Sequence, residues 1–457
     1  MQYLTIWDLV LTPVYIVILV FIAKRYRDTH YPHGHPLRKY FLQGLLLKFG
    51  GAIFVGLVYQ YYYGTGDTYE FFSHAKIINS SLDDSPTMWG KIMMGLPATV
   101  DPYIYKYSSQ LNWYNDPPSY TIAVITAFFG LFNGTSYLPI ALLFAFFSYT
   151  GIWAMYRTFV SIYPTLHKQL AYAFLFIPST FVWGSGVFKD TVCMFGLGWM
   201  VYTSFRIFFY RDFSFKNLFL LVFSFYLVAV VKIYILMAFL PALALWLLLN
   251  YSHKIKIAAI RVLVNLLFVV FSIAGFFFVS NQFAQELNRY SLEDIATTSA
   301  VTRGWIQYAS GEEGSAYDLG KFDPTILGMA TKLPAAIAVT LYRPFVWEAK
   351  KPIVLLSALE ALLFFGFTLY VLFKVGLSTV VKKIFSDPTV LFCFVFTIIF
   401  AFAVGISSYN FGALSRYKIP CLPFYAALLI IVFYKDKVIN AAPAIKQKSR
   451  SAVLETT

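Results

Sequence analysis

Three short stretches of this chain combine carboxylates, cations and aromatic rings in ways that suit group transfer. The first reads Tyr61, Tyr62, Tyr63, Gly64, Thr65, Gly66, Asp67, Thr68, Tyr69, Glu70. A carboxylate placed where a helix leaves a bilayer can take a proton from a substrate at the water boundary. Asp67 and Glu70 are therefore candidate catalytic acids, with Tyr69 beside them as a substrate contact. The same pair also fits a helix start, Asp67 as the cap and Glu70 completing a capping box three residues on. The second stretch is Asn115, Asp116, Pro117, Pro118, Ser119, Tyr120, where two prolines fix an extended entry to the next segment and Asp116 is a substrate-binding candidate. In the third, Tyr342, Arg343, Pro344, Phe345, Val346, Trp347, Glu348, the guanidinium fork suits phosphate or carboxylate and the indole offers a face for a sugar ring or lipid. The plainer reading pairs Arg343 with Glu348 internally.

Isolated cations complete the set. Lys189 follows the small-residue run Gly184, Ser185, Gly186 and can bind a phosphate, with Asp190 read as a cap for the next helix. Lys232 stands alone in the apolar sequence from Asn217 to Asn250 and needs an anion, either a substrate phosphate or a lipid headgroup. Ser415, Arg416, Tyr417, Lys418 open the last apolar stretch, making Arg416 a phosphate-binding candidate and Tyr417 a substrate contact. His30, His33 and His35 lie among prolines without a nearby acid and read as a solvated loop. Cys193, Cys393 and Cys421 all fall in apolar segments, where a thiol behaves as a small hydrophobe. No Gly-rich phosphate loop, serine elbow or zinc-helix motif is present. A divalent metal is left open, without a ligand motif to support it, and the cofactor is unknown.

These residues must be positioned by membrane helices. The 457 residues are 59% hydrophobic, 20% aromatic and 13% charged, which excludes an ordinary soluble domain. The expected fold class is an all-α polytopic membrane protein with about 11 transmembrane helices and two larger outer-face loops. Spans are expected near 6–23, 41–63, 137–157, 168–185, 190–209, 216–232, 233–250, 258–280, 353–374, 389–407 and 418–434. The apolar segment 121–132 is too short to cross and reads as interfacial or re-entrant. The organisation is then 1–63, two spans; 64–136, an outer loop with the acidic motif; 137–280, a bundle; 281–352, a second outer loop; 353–434, the C-terminal spans; and 435–457, a basic tail. With this count, six loops on one face hold 21 Lys and Arg against five acids, while the rest of the chain holds 15 against 17. The positive-inside rule makes the basic face cytoplasmic, the N-terminus outside and the C-terminus inside. Anionic lipid accounts for the net charge of +14, and no nucleic-acid partner is implied.

Taken together, four features resemble the GT-C superfamily of membrane glycosyltransferases, which includes the protein O-mannosyltransferases and the bacterial aminoarabinose transferase. They are the acidic motif after an early span, the Asp116-Pro117-Pro118 entry to a short outer helix, the lone Lys232 in a stretch ending in Pro241, and Arg416-Tyr417-x-x-Pro420-x-x-Pro423. The resemblance implies a GT-C-like fold and a polyprenyl-phosphate or polyprenyl-diphosphate sugar donor. Transfer would take place on the non-cytoplasmic face to a glycan, lipid or protein acceptor, in a bacterial inner membrane. It further implies Asp67 as base or metal-associated acid, Lys232 as donor-phosphate ligand and Arg416 near the donor. Gly66-Asp67-Thr68-Tyr69 stands where many members carry an Asp-Glu pair. The alternatives are a polysaccharide polymerase or O-antigen ligase and, outside enzymes, a lipid-linked oligosaccharide transporter or assembly subunit.

Overall fold

The computed structural model describes residues 3–252, 316–320, 328 and 331–441. These residues are helical apart from loops and an isolated bridge between Ala316 and Asn410. Among them, seven helices are long and apolar enough to cross a membrane, and a pair bent by 66° makes an eighth if it counts as one span. The chain is a polytopic membrane protein. The expected span 258–280, most of the second outer loop and the tail beyond residue 441 lie outside the described residues. Two compact units divide at Ile233 and Tyr234.

The first unit begins with α1 (Ile6–His30) and α2 (Arg38–Val58), the latter prolonged by a π-helical turn to Tyr63. Four shorter helices follow: α3 (Asp67–Ser80), α4 (Pro86–Met93), α5 (Tyr105–Ser108) and α6 (Pro117–Gly130). They enclose a small core of their own around Ile78, Ile92, Ile104 and Ala123, so the loop expected at 64–136 is folded. Then come α7 (Tyr137–Ile162), α8 (His167–Leu175), α9 (Pro178–Trp183), α10 (Lys189–Tyr210) and α11 (Phe215–Ser252).

Pairwise contacts set the helix directions. Gly56 of α2 meets Tyr137 and Leu138 at the start of α7, while Phe41 packs on Tyr149 and Trp153, so α2 and α7 are antiparallel. α10 runs parallel to α7, since Trp199 donates to Thr150 and Arg157 lies over Tyr202. A Cβ on Gly151 would stand 2.3 Å from the Phe195 carbonyl oxygen, and one on Gly198 2.0 Å from that of Gly151. Only glycine lets these two backbones touch. Asp8 of α1 is buried and accepts the Leu138 amide at 2.8 Å, fixing α1 to the start of α7. The connections α1–α2, α7–α8 and α10–α11 gather at the opposite end. They carry Arg27, Arg38 and Arg206, which pair with Asp28 and Asp212.

The stretch 168–185, read from sequence as one span, is instead two short helices. Pro178 lacks the amide needed to continue α8, and Phe176 leaves the helical region. As a result the chain climbs only part of the way back along α7. The Gly184 carbonyl accepts from Ser148 at 2.9 Å, a level roughly 16 Å below the first residue of α7. With Gly198 against Gly151, α10 starts roughly 8 Å below that residue. The spans expected at 216–232 and 233–250 form one element broken at Lys232, whose φ of −152° and ψ of 78° are not helical.

In the second unit, residues beyond the break pack on the helix that carries Phe392, with Phe239 against that ring and Trp246 stacked on it. Its helices are α12 (Leu333–Tyr342), α13 (Pro352–Val375), α14 (Leu377–Ser386), α15 (Pro388–Ser407), α16 (Phe411–Tyr417) and α17 (Leu422–Ala441). The span expected at 418–434 is the bent pair α16 and α17. α12 crosses α15 closely at Gly405, and Thr340 donates to the Ala401 carbonyl at 2.7 Å.

Candidate functional site

Because α10 starts below the level at which α7 begins, its first residues are set back from that end of the helices, and this step is the recess in the first unit. Lys189 opens the helix and Asp190 follows it, 28% and 2% exposed at the side chain. Beneath them Lys232 donates to Asp190 at 2.5 Å, with 8% of its side chain exposed. Lys232 makes this bond from the break in α11, where its backbone leaves the helical region. Asp190 is thus the anion that Lys232 requires, and the N-cap position before α10 is Phe188. The adjacent Lys189-Asp190 pair reads from sequence as a ligand followed by a cap, which hides the role of Asp190.

One wall is the start of α6. Asp116 caps it, accepting from the Ser119 amide at 3.2 Å and from its hydroxyl, while Pro117 and Pro118 occupy the first positions, where no amide bond is needed. The same oxygen, Asp116 Oδ2, lies 3.8 Å from Lys189 Nζ. That distance is an ion-pair contact, long enough for water to intervene. Asp67 stands on the rim, and its charge reaches Lys189 together with those of Asp116, Asp190 and Lys232. Four of the residues selected from sequence, Asp67, Asp116, Lys189 and Lys232, therefore share one neighbourhood.

The rim differs from the capping-box reading. Gly66 occupies the cap, with φ 139°, and a Cβ there would sit 2.5 Å from the Tyr59 ring. Asp67 and Glu70 both lie in the first turn of α3. Burial, then the like charge of Asp67, pushes the Glu70 carboxyl above its ordinary range. Tyr69 is not positioned for a substrate. It is 0% exposed, donates to the Gly56 carbonyl and stacks on Tyr3 at 4.2 Å, because it points from α3 into the α2–α7 interface.

Lys48, which the sequence marks only as a charge within a span, is 2% exposed. It donates to Ser148 at 3.0 Å and to the Gly184 carbonyl. That carbonyl ends α9, five residues before Lys189, so Lys48 ties α2 and α7 to the turn that carries the floor of the recess.

The second unit holds the remaining candidates. The Arg343 guanidinium is bidentate to Glu348, which also accepts the Phe345 amide at 2.8 Å, so the internal pairing is the one formed. Burial acts to raise the Glu348 carboxyl, but the bonds from Arg343 and Phe345 outweigh it and hold it below its ordinary range. Trp347 is 82% exposed and stacked on Phe345 at 4.8 Å, with Arg343 over the Phe345 and Phe411 rings. Arg416 and Tyr417 lie half-buried at the end of α16, the guanidinium 5.3 Å from the tyrosine ring. Lys418 is buried and turned towards the Arg343 carbonyl at 3.4 Å.

Among the described residues no group of three or more His, Cys, Asp or Glu side chains is placed to hold a metal ion. Comparison with protein-family models, with curated proteins and with solved structures gave no match.

Proposed function

We propose that the chain is an inverting membrane glycosyltransferase, GT-C-like, that moves a sugar from a polyprenyl-phosphate or polyprenyl-diphosphate donor to an envelope glycan, lipid or protein. The observation that carries this reading is the recess in the first unit, where two acids, Asp67 and Asp116, converge on Lys189 below the N-terminal end of α7. That end lies away from the basic connections, which favours a site on the non-cytoplasmic face of a bacterial inner membrane.

The chemistry follows from the charges. Displacing a phosphate from an anomeric carbon builds negative charge on the leaving oxygens, and a cation held in a water-poor recess stabilises it. Lys189 fits this role because its contact with Asp116 is loose. An arriving phosphate takes the ammonium and releases the carboxylate. Asp67 on the rim then accepts the proton of the acceptor hydroxyl. Lys232 is committed to Asp190 and supports Lys189 from below instead of binding phosphate directly.

The test is transfer or release of labelled sugar from polyprenyl-phosphate and polyprenyl-diphosphate glycosides by detergent-purified protein. Asp67→Asn is expected to lower turnover by about 10²-fold or more, and Lys189→Met by about 10²–10³-fold, with both variants folded. Wild-type turnover unchanged in both would remove the recess from catalysis. No turnover over a broad donor panel would shift the reading to a lipid-linked oligosaccharide transporter or assembly subunit, which the buried charges Lys48, Asp190 and Lys232 within the helix layer favour.

A further inference from the structure

Helix α6 sits lower than a helix lying on the bundle surface would. Phe129 packs against Phe144 and stacks on Phe147, with centroids 5.4 and 5.3 Å apart. Phe147 lies roughly 15 Å along α7 from its first residue. Tyr15, well inside α1, donates its hydroxyl to the Phe132 carbonyl, flanked by outward-facing Val14 and Val17. From Pro117 to Tyr156 the sequence contains no charged residue.

Four backbone carbonyls around this end of α6 are satisfied from within the protein. The Ala127 carbonyl accepts from Leu131 and the Asn79 side chain, and that of Phe129 from Phe132 and the Asn133 side chain. The Gly130 carbonyl accepts from Asn133 and Thr135, and that of Phe132 from Tyr15. A helix end in water leaves such carbonyls to solvent, whereas one in hydrocarbon must satisfy each from protein. Yet Phe128, Leu131 and Phe132 on the same turn are 47%, 41% and 63% exposed.

We propose that α6 is a re-entrant element whose C-terminal turn enters the hydrocarbon layer, and that Phe128, Leu131 and Phe132 form a contact surface for lipid acyl chains. The inference is independent of the transferase reading. It also gives the α3–α6 unit an anchor in the bilayer. Asp116 caps the other end of the same helix, roughly 20 Å away, so the anchor sets the depth at which that carboxylate meets Lys189.

The test labels single cysteines at 128, 131 and 132 with an environment-sensitive fluorophore, in full-length protein lacking Cys193, Cys393 and Cys421, reconstituted in phosphatidylcholine vesicles. Nitroxide on the lipid chains is expected to quench Phe132→Cys and Phe128→Cys labels about threefold more than aqueous iodide does, as hydrocarbon burial requires. A label at Tyr103→Cys, a position 76% exposed, should show the opposite preference. Iodide quenching at 132 equal to that at 103 would overturn the proposal. Protection from both quenchers would also overturn it, by showing that a protein surface covers the turn. The Leu131→Cys label keeps the test open if one phenylalanine variant does not fold.

Discussion

At the residue scale, the Lys232–Asp190 pair invites the sharpest test. Removing one member of a buried ion pair leaves the other uncompensated, so Lys232→Met or Asp190→Asn should each destabilise the protein by about 3–5 kcal/mol. The double variant Lys232→Met/Asp190→Leu should recover much of that loss, and thermal unfolding in detergent reads all three. Glu70 supplies a pH signature. Its carboxyl is raised in the folded protein, so its contribution is fully present below the unfolded value and is lost as pH rises through the folded one. Asp67→Asn removes the like charge and should flatten the decline in unfolding temperature as pH rises above the ordinary value of 4.5. Glu348 carries the opposite sign. Held low by Arg343 and the Phe345 amide, it stabilises above its unfolded value and stops doing so as pH falls through the folded one. Arg343→Met should therefore make stability less sensitive to acid, measured on the same unfolding curve.

At the element scale, the close approach of α7 and α10 determines where the site lies. Gly151→Val would drive a side chain into the Phe195 carbonyl, an overpacking cost of about 1–3 kcal/mol or more. If α10 shifts as a result, the Lys189–Asp116 contact should loosen further, visible as altered reactivity of the Lys189 amine towards an amine-specific label. Much of this level was legible in the sequence. Lys189 and Lys232 stand out because charges are rare in and beside apolar segments, Asp67 and Asp116 are marked by the motifs around them, and the structure gathers all four in one neighbourhood. Tyr69 misleads because a tyrosine beside two acids looks like a ligand, while its direction from α3 depends on the packing of Tyr3, Gly56 and Tyr137 around it. Asp190 escapes notice because its partner is a lysine 42 positions along the chain. The pair α8 and α9 reads as one span because hydropathy averages over the break at Pro178.

At the scale of the whole molecule, the asymmetry of charge is the property the sequence expresses most plainly, and in the first unit the connections that carry Arg27, Arg38 and Arg206 gather at one end. Membrane-impermeant thiol labelling of intact cells should reach a cysteine at Tyr103 and miss one at Asp28, if the basic end faces the cytoplasm. The opposite pattern would reverse the proposed orientation and move the recess to the cytoplasmic side.

The low start of α10 also decides how the site answers to salt. Ions in bulk water damp the attraction between exposed charges over about 10 Å at 0.1 M, but they do so only where they can surround those charges. Lys189 lies beside the start of α6 with 28% of its side chain exposed and a compensated pair beneath it. Anion binding there should weaken little between low and physiological ionic strength, whereas association of the arginine-rich end with anionic headgroups should fall steeply. One polypeptide would then present two electrostatic regimes, one insulated and one screened, set by where a single helix begins.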